Sequence, residues 1–171
     1  IRDRSGMVMG SVSASVVSHA SCPVVVVRED NHVTDSTKYG PVVVGVDGSE
    51  VSQKATAYAF REAQARGAAL IAVHTWMDMQ VQASLAGLSA AQSEWADIEK
   101  EQSELLTENL KEPREEYPEV EVKKLITRDR PVSALTEAAE GAQLLVVGSH
   151  GRGGFKGMLL GSTSRALLQS A

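Results

Sequence analysis

The segments PVVVGV (41–46) and AQLLVVGS (142–149) constrain the fold more than any other part of the chain. Each is a short apolar run rich in β-branched residues. Lacking the polar alternation of a half-solvated strand, such runs read as strands buried on both faces. ALIAVHTW (69–76) and VEVKKLIT (120–127) have strand length as well. Helical patterns separate the four. Residues 51–66 are alanine-rich, with Ser49 or Asp47 placed to cap and Gly67 to stop the helix. A long helix is expected from Ser89 to Pro113, and 130–141 opens on a proline and closes on a glycine, as a third helix would. Strict strand–helix alternation is most economically satisfied by parallel strands with right-handed crossovers, so the fold class is α/β, an open parallel sheet with helices on both faces.

Charge narrows the function. The net charge is −5, and half of the acids fall between Glu94 and Glu121. Trp95, Ile98, Leu105, Leu106 and Leu110 recur there at helical spacing, so these acids are the solvated face of an amphipathic helix. Such a balance argues against general nucleic-acid binding. No apolar run approaches the ~18–20 residues of a membrane span, and no signal pattern opens the sequence; a cytoplasmic location is the expectation, with no membrane partner. The single cysteine, Cys22, beside PVVVV, reads as a buried small hydrophobe.

The chain also repeats itself. GMVMGSVSASVVSHA (6–20) aligns without gaps on GMLLGSTSRALLQSA (157–171), at an offset of 151 residues. Solenoid repeats have periods of ~20–50 residues, so this one indicates duplicated whole domains. Residues 1–29 then read as the terminal helix and strand of a preceding repeat, 30–40 as a polar linker, and 41–171 as a second domain lacking its final strand. On this reading Val24–Val27 complement the edge beside Leu144–Val147, within the chain or between two chains.

The chemistry is concentrated in VVGSHGRGGFKGMLLGSTS (146–164). A buried strand enters a loop rich in glycine and carrying His150, Arg152 and Lys156, and the loop enters a helix at Gly161. Ligands of open α/β sheets bind beyond the carboxyl ends of the strands, where this loop lies. Glycines allow close backbone approach, a helix start offers free N–H donors, and Ser162 and Thr163 add hydroxyls; together they suit a phosphate chain. The spelling is neither that of a P-loop nor that of a dinucleotide fingerprint. It is G-x2-G-x9-G-S, at Gly148, Gly151, Gly161 and Ser162. No Ser-His-Asp arrangement, metal-ligand cluster or base beside the loop is evident, so binding outranks turnover. Asp47 fits a helix cap as well as a ligand contact, and His74 reads as structural.

With VVVGVDGSE, HTW and the G-x2-G-x9-G-S loop, residues 40–171 resemble the universal stress protein family, specifically a piece of a tandem, ATP-binding-class member. The resemblance implies a five-stranded parallel sheet, adenine nucleotide alpha hydrolase-like in fold, and a role in stress response; the complementation argued above would supply the last strand from the N-terminal segment of the same or a neighbouring chain. Its ligand would be ATP, with or without Mg2+. Carried over by position, Asp47 would meet ribose or adenine, Gly45 and Val46 would line that side, and the Thr75 backbone would meet adenine. Val147, Gly148, Gly151, Gly161, Ser162 and Thr163 would hold phosphates and ribose, with His150 and Arg152 close by. The expected assembly is a homodimer or an intramolecular pairing of tandem domains. The alternatives are a dimerisation scaffold with a vestigial nucleotide site, or a slow ATPase.

Overall fold

The computed structural model describes residues 10–27, 39–76, 92–152 and 160–170. Along them run α1 (Ser11–His19), β1 (Val42–Gly45), α2 (Glu50–Arg66), β2 (Leu70–Thr75), α3 (Gln92–Glu116), β3 (Val122–Thr127), α4 (Pro131–Ala138), β4 (Leu144–Val146) and α5 (Ser162–Ser170). The strands form one parallel sheet in the order β3-β2-β1-β4, with Val42 opposite both Leu70 and Leu144.

Side-chain alternation along β1 divides the core between the two faces. Val42, Val44 and Val46 pack against Ala59, Phe60 and Ala63 of α2 and Leu106 and Leu110 of α3. Val43, with Val73 of β2, packs against Ala134 and Leu135 of α4 and Leu167 of α5. All three β1 valines are fully buried, as a strand covered on both faces requires.

The helix boundaries follow local chemistry. Ser49 caps α2 by accepting from the Ser52 N–H at 3.2 Å, and Gly67 ends it at φ +59, in the left-handed region that favours glycine. Pro131 opens α4 at a position where the missing N–H costs nothing. Helix α3 does not stop at Pro113 but runs to Glu116. The proline removes one donor near the helix end, yet the Tyr117 N–H still reaches the Pro113 carbonyl at 2.9 Å, so the last turn closes around it. The proposed start of this helix at Ser89 lies outside the described residues.

Four further expectations are corrected. The sheet has four strands among the described residues, not five. Residues 23–27 carry no regular secondary structure and join no sheet among the described residues, and Val25 and Val27 are 57% and 85% exposed, so within the described residues the chain does not complement itself at β4. With no strand on that edge among the described residues, Leu144, Leu145 and Val146 are half-buried where full burial was expected. Cys22, expected to be buried, is exposed, and its segment contributes to neither core cluster of the described residues.

Candidate functional site

The strand order reverses between β1 and β4: the chain builds β1, β2 and β3 in one direction and then places β4 on the other side of β1. Loops leaving such neighbouring strands diverge to opposite faces, opening a crevice at their carboxyl ends. Asp47 leaves β1 into this crevice, and Gly148 to Arg152 leave β4 into it.

The two loops touch. Asp47 Oδ2 accepts the Arg152 backbone N–H at 3.2 Å, and Oδ1 accepts the Ser49 N–H at 2.9 Å. The Asp47 N–H donates to Ser52 Oγ at 3.0 Å, so the carboxylate is fixed by the same turn that starts α2. Gly151 lies so close that a Cβ there would overlap Asp47 Oδ2. The Arg152 side chain reaches back over Gly48, whose φ of +80 suits glycine, and lies near Asn109 of α3.

Behind this contact the phosphate-loop candidates are fastened to α5. Ser164 Oγ donates to the Gly148 carbonyl at 2.6 Å, and the Gly161 N–H donates to the Ser149 carbonyl at 2.7 Å. The Gly161 carbonyl accepts the Arg165 N–H at 3.0 Å, the first bond of α5, so the N–H groups of Ser162 and Thr163 face the helix start with no acceptor of their own turn. A Cβ at Gly161 would lie 3.1 Å from the His150 Cα, and one at Gly148 3.1 Å from Val51 Cγ1. The crevice wall is thus backbone held at close range, rimmed by the exposed side chains of His150, Arg152 and Ser162.

Not every expected residue faces the crevice. The Val46 side chain is buried in the α2 and α3 core, and Val147 packs with the core on the opposite face. Gly45 sits against the Leu135 methyls, 3.2 Å from where its Cβ would be, so its smallness serves packing. Thr75, by contrast, is half-buried at the end of β2 with its backbone directed to the β1 side, toward Asp47. Gly161 stands at the start of α5 with its N–H donated to the Ser149 carbonyl. The segment 153–159, with Lys156, lies outside the described residues.

Sequence reasoning missed Ser52, Ser149 and Ser164, which fasten the crevice, and the partners of His74. This histidine is 4% exposed; its Nδ1 lies 2.7 Å from the Val46 carbonyl and its Nε2 lies 3.0 Å from Oε1 of Gln102, itself 1% exposed. Serines carry no periodic signal, and His74 could be paired only once β1, β2 and α3 were placed together.

A family model described as the universal stress protein family matches residues 2–28 and 38–171. Universal stress protein Rv2005c of Mycobacterium tuberculosis (strain ATCC 25618 / H37Rv) is 47% identical over 163 residues, covering 95% of this chain and 53% of the relative. Universal stress protein Rv2623 of the same strain is 40% identical over 166 residues, covering 97% and 54%. The chain spans about half the length of the curated relatives it matches. Among solved structures, a universal stress protein crystallised in complex with cAMP is 27% identical with a TM-score of 0.52, covering 78% of this chain and 90% of that one. Universal stress protein UspA from Lactobacillus plantarum shares the fold at a TM-score of 0.62 and 21% identity, covering 78% and 92%. With the family model matched along most of its length and relatives of this similarity, the chain belongs to the universal stress protein family.

Proposed function

We infer that the chain binds ATP in the crevice between the ends of β1 and β4 and acts as a nucleotide-dependent regulatory module in stress response. The observation that carries this reading is the convergence of Asp47 with Gly151 and Arg152 at the point where strand order reverses. A carboxylate there suits ribose hydroxyls, which donate to it, while the glycine backbone and the first turn of α5 suit phosphate oxygens, which accept. Any Mg2+ would enter on the phosphates. The structurally similar protein solved with cAMP supports an adenine nucleotide as the ligand class. Native mass spectrometry of gently purified protein tests the reading: a retained mass equal to ATP is expected, and a bare chain after incubation with excess ATP would count against it.

Binding is favoured over turnover because Asp47, the carboxylate that the described residues bring into the crevice, is already engaged by two backbone N–H groups and is poorly placed to activate water. Phosphate release should therefore stay far below the typical enzyme median of about 10 s⁻¹. A Gly148→Val variant purified alongside serves as the control for contaminating ATPase, and a rate near that median in the unmodified chain alone would refute the expectation.

A specific observation favours an assembly role beside this one. Val24 to Val27 are exposed, and β4 presents a free edge among the described residues. We place their pairing between copies or between tandem domains.

A further inference from the structure

The β1–β2 ladder stops one rung early. On its β3 side, β2 bonds through its even-numbered residues, from the Leu70 N–H donating to Glu121 O at 2.8 Å to the Trp76 N–H donating to Thr127 O at 3.4 Å. Odd-numbered residues therefore face β1, where the Val42 N–H donates to Ala69 O at 2.9 Å and the Val46 N–H to Val73 O at 2.8 Å. In a parallel ladder the next rung would run from the Thr75 N–H to the Val46 carbonyl. It is not formed: pairing ends at Gly45 with Val73, and among the described residues the Thr75 N–H makes no backbone hydrogen bond. The Val46 carbonyl is instead 2.7 Å from His74 Nδ1. A carbonyl only accepts, so Nδ1 carries its proton and donates.

We propose that His74 is a positioning residue for base recognition: its imidazole occupies the Val46 carbonyl and thereby keeps the Thr75 N–H and C=O, unpaired among the described residues, as a donor–acceptor pair at the strand end. The proposal rests on the nucleotide reading above. The free pair faces the β1 side, toward Asp47, and its polarity has a chemical consequence. Adenine presents an acceptor at N1 beside a donor at N6, complementary to one N–H and one C=O; guanine presents a donor at N1 beside an acceptor at O6 and meets the pair with like groups opposed. Gln102, buried on α3, holds the far side of the ring, so the imidazole cannot swing away from the carbonyl without leaving that amide orphaned in the core.

The test compares His74→Leu, which removes the donor, with His74→Asn, whose amide nitrogen stands near the place of Nδ1. Amide hydrogen exchange of Thr75 in the nucleotide-free chain is measured by NMR, together with dissociation constants for ATP and GTP. Expected are fast Thr75 exchange in the unmodified chain and in His74→Asn, and slowed exchange in His74→Leu as the missing rung forms. The ratio of GTP to ATP dissociation constants should fall about tenfold in His74→Leu, the scale of one hydrogen bond, and be largely kept in His74→Asn. General loss of folded protein would scale both nucleotides alike and leave the ratio unmoved. If His74→Leu alone does not fold, adding Gln102→Leu removes the orphaned amide and permits the same comparison. Equal Thr75 exchange in the unmodified chain and His74→Leu, or an unchanged ratio, overturns the proposal. Failure of the unmodified chain to bind either nucleotide would remove the nucleotide reading and the base-recognition role with it, while the exchange pattern still decides whether His74 withholds the rung.

Discussion

Replacing Gly151 with alanine should weaken ATP binding by about 5- to 100-fold while leaving the fold nearly as stable as before. The added Cβ would overlap the Asp47 carboxylate, so either the loop or the carboxylate must move. Forcing a methyl group into a filled space costs about 1–3 kcal/mol, and each 1.4 kcal/mol is a factor of ten in affinity. The cost falls on binding because the clash is at the crevice mouth and not in either core cluster, and a loop can relax outward in the free protein but not around a ligand. Calorimetric titration with ATP and a thermal melt, run on the same preparation, separate the two quantities. An unaltered dissociation constant would show that the contact between the β1 and β4 loops is not part of the site.

Asp47 holds two roles that a pair of variants can divide. Asp47→Ala removes both the acceptor for the Ser49 N–H and the acceptor for the Arg152 N–H. It should lower stability by about 0.5–2 kcal/mol, the scale of a lost helix-start contact, and reduce ATP affinity by roughly 10- to 100-fold through loss of a charged acceptor. Asp47→Asn keeps one side-chain oxygen for the Ser49 N–H, so its melt should lie near that of the unmodified chain, yet the lost charge and second acceptor should still weaken ATP. If both variants melt earlier and bind ATP with unchanged affinity, Asp47 is a capping residue and nothing more.

The contrast between these two residues shows what the sequence made legible. Uninterrupted valines at 42–44 announced a central strand because burial on both faces leaves a local trace in composition, and the structure has them fully buried. Ser49 and Gly67 announced the ends of α2 because capping is a local hydrogen-bonding problem. The spacing of Gly148, Gly151, Gly161 and Ser162 pointed to a loop whose backbone approaches something closely, one of the places that favour glycine.

What that loop presses against was not legible. Asp47 and Arg152 are 105 residues apart, and they meet only because β4 inserts beside β1 and not beside β3. Sheet order is a global property that no local pattern encodes. For the same reason Gly45, read as lining a ligand, turned out to face Leu135, and the Val46 side chain turned inward to α2 and α3. Alternation predicts that neighbours point oppositely but not which face holds the site. His74 was legible as structural, whereas its role at the Val46 carbonyl depends on a rung of the ladder that is missing, which only the paired strands reveal.

Isothermal titration of the unmodified chain with ATP, against GTP as the contrasting base, decides whether the crevice at the ends of β1 and β4 is an adenine-nucleotide site. Saturable binding of one ATP per chain is expected, with GTP at least about tenfold weaker because its base opposes the Thr75 donor–acceptor pair. Absence of saturable ATP binding at millimolar concentration would contradict that reading.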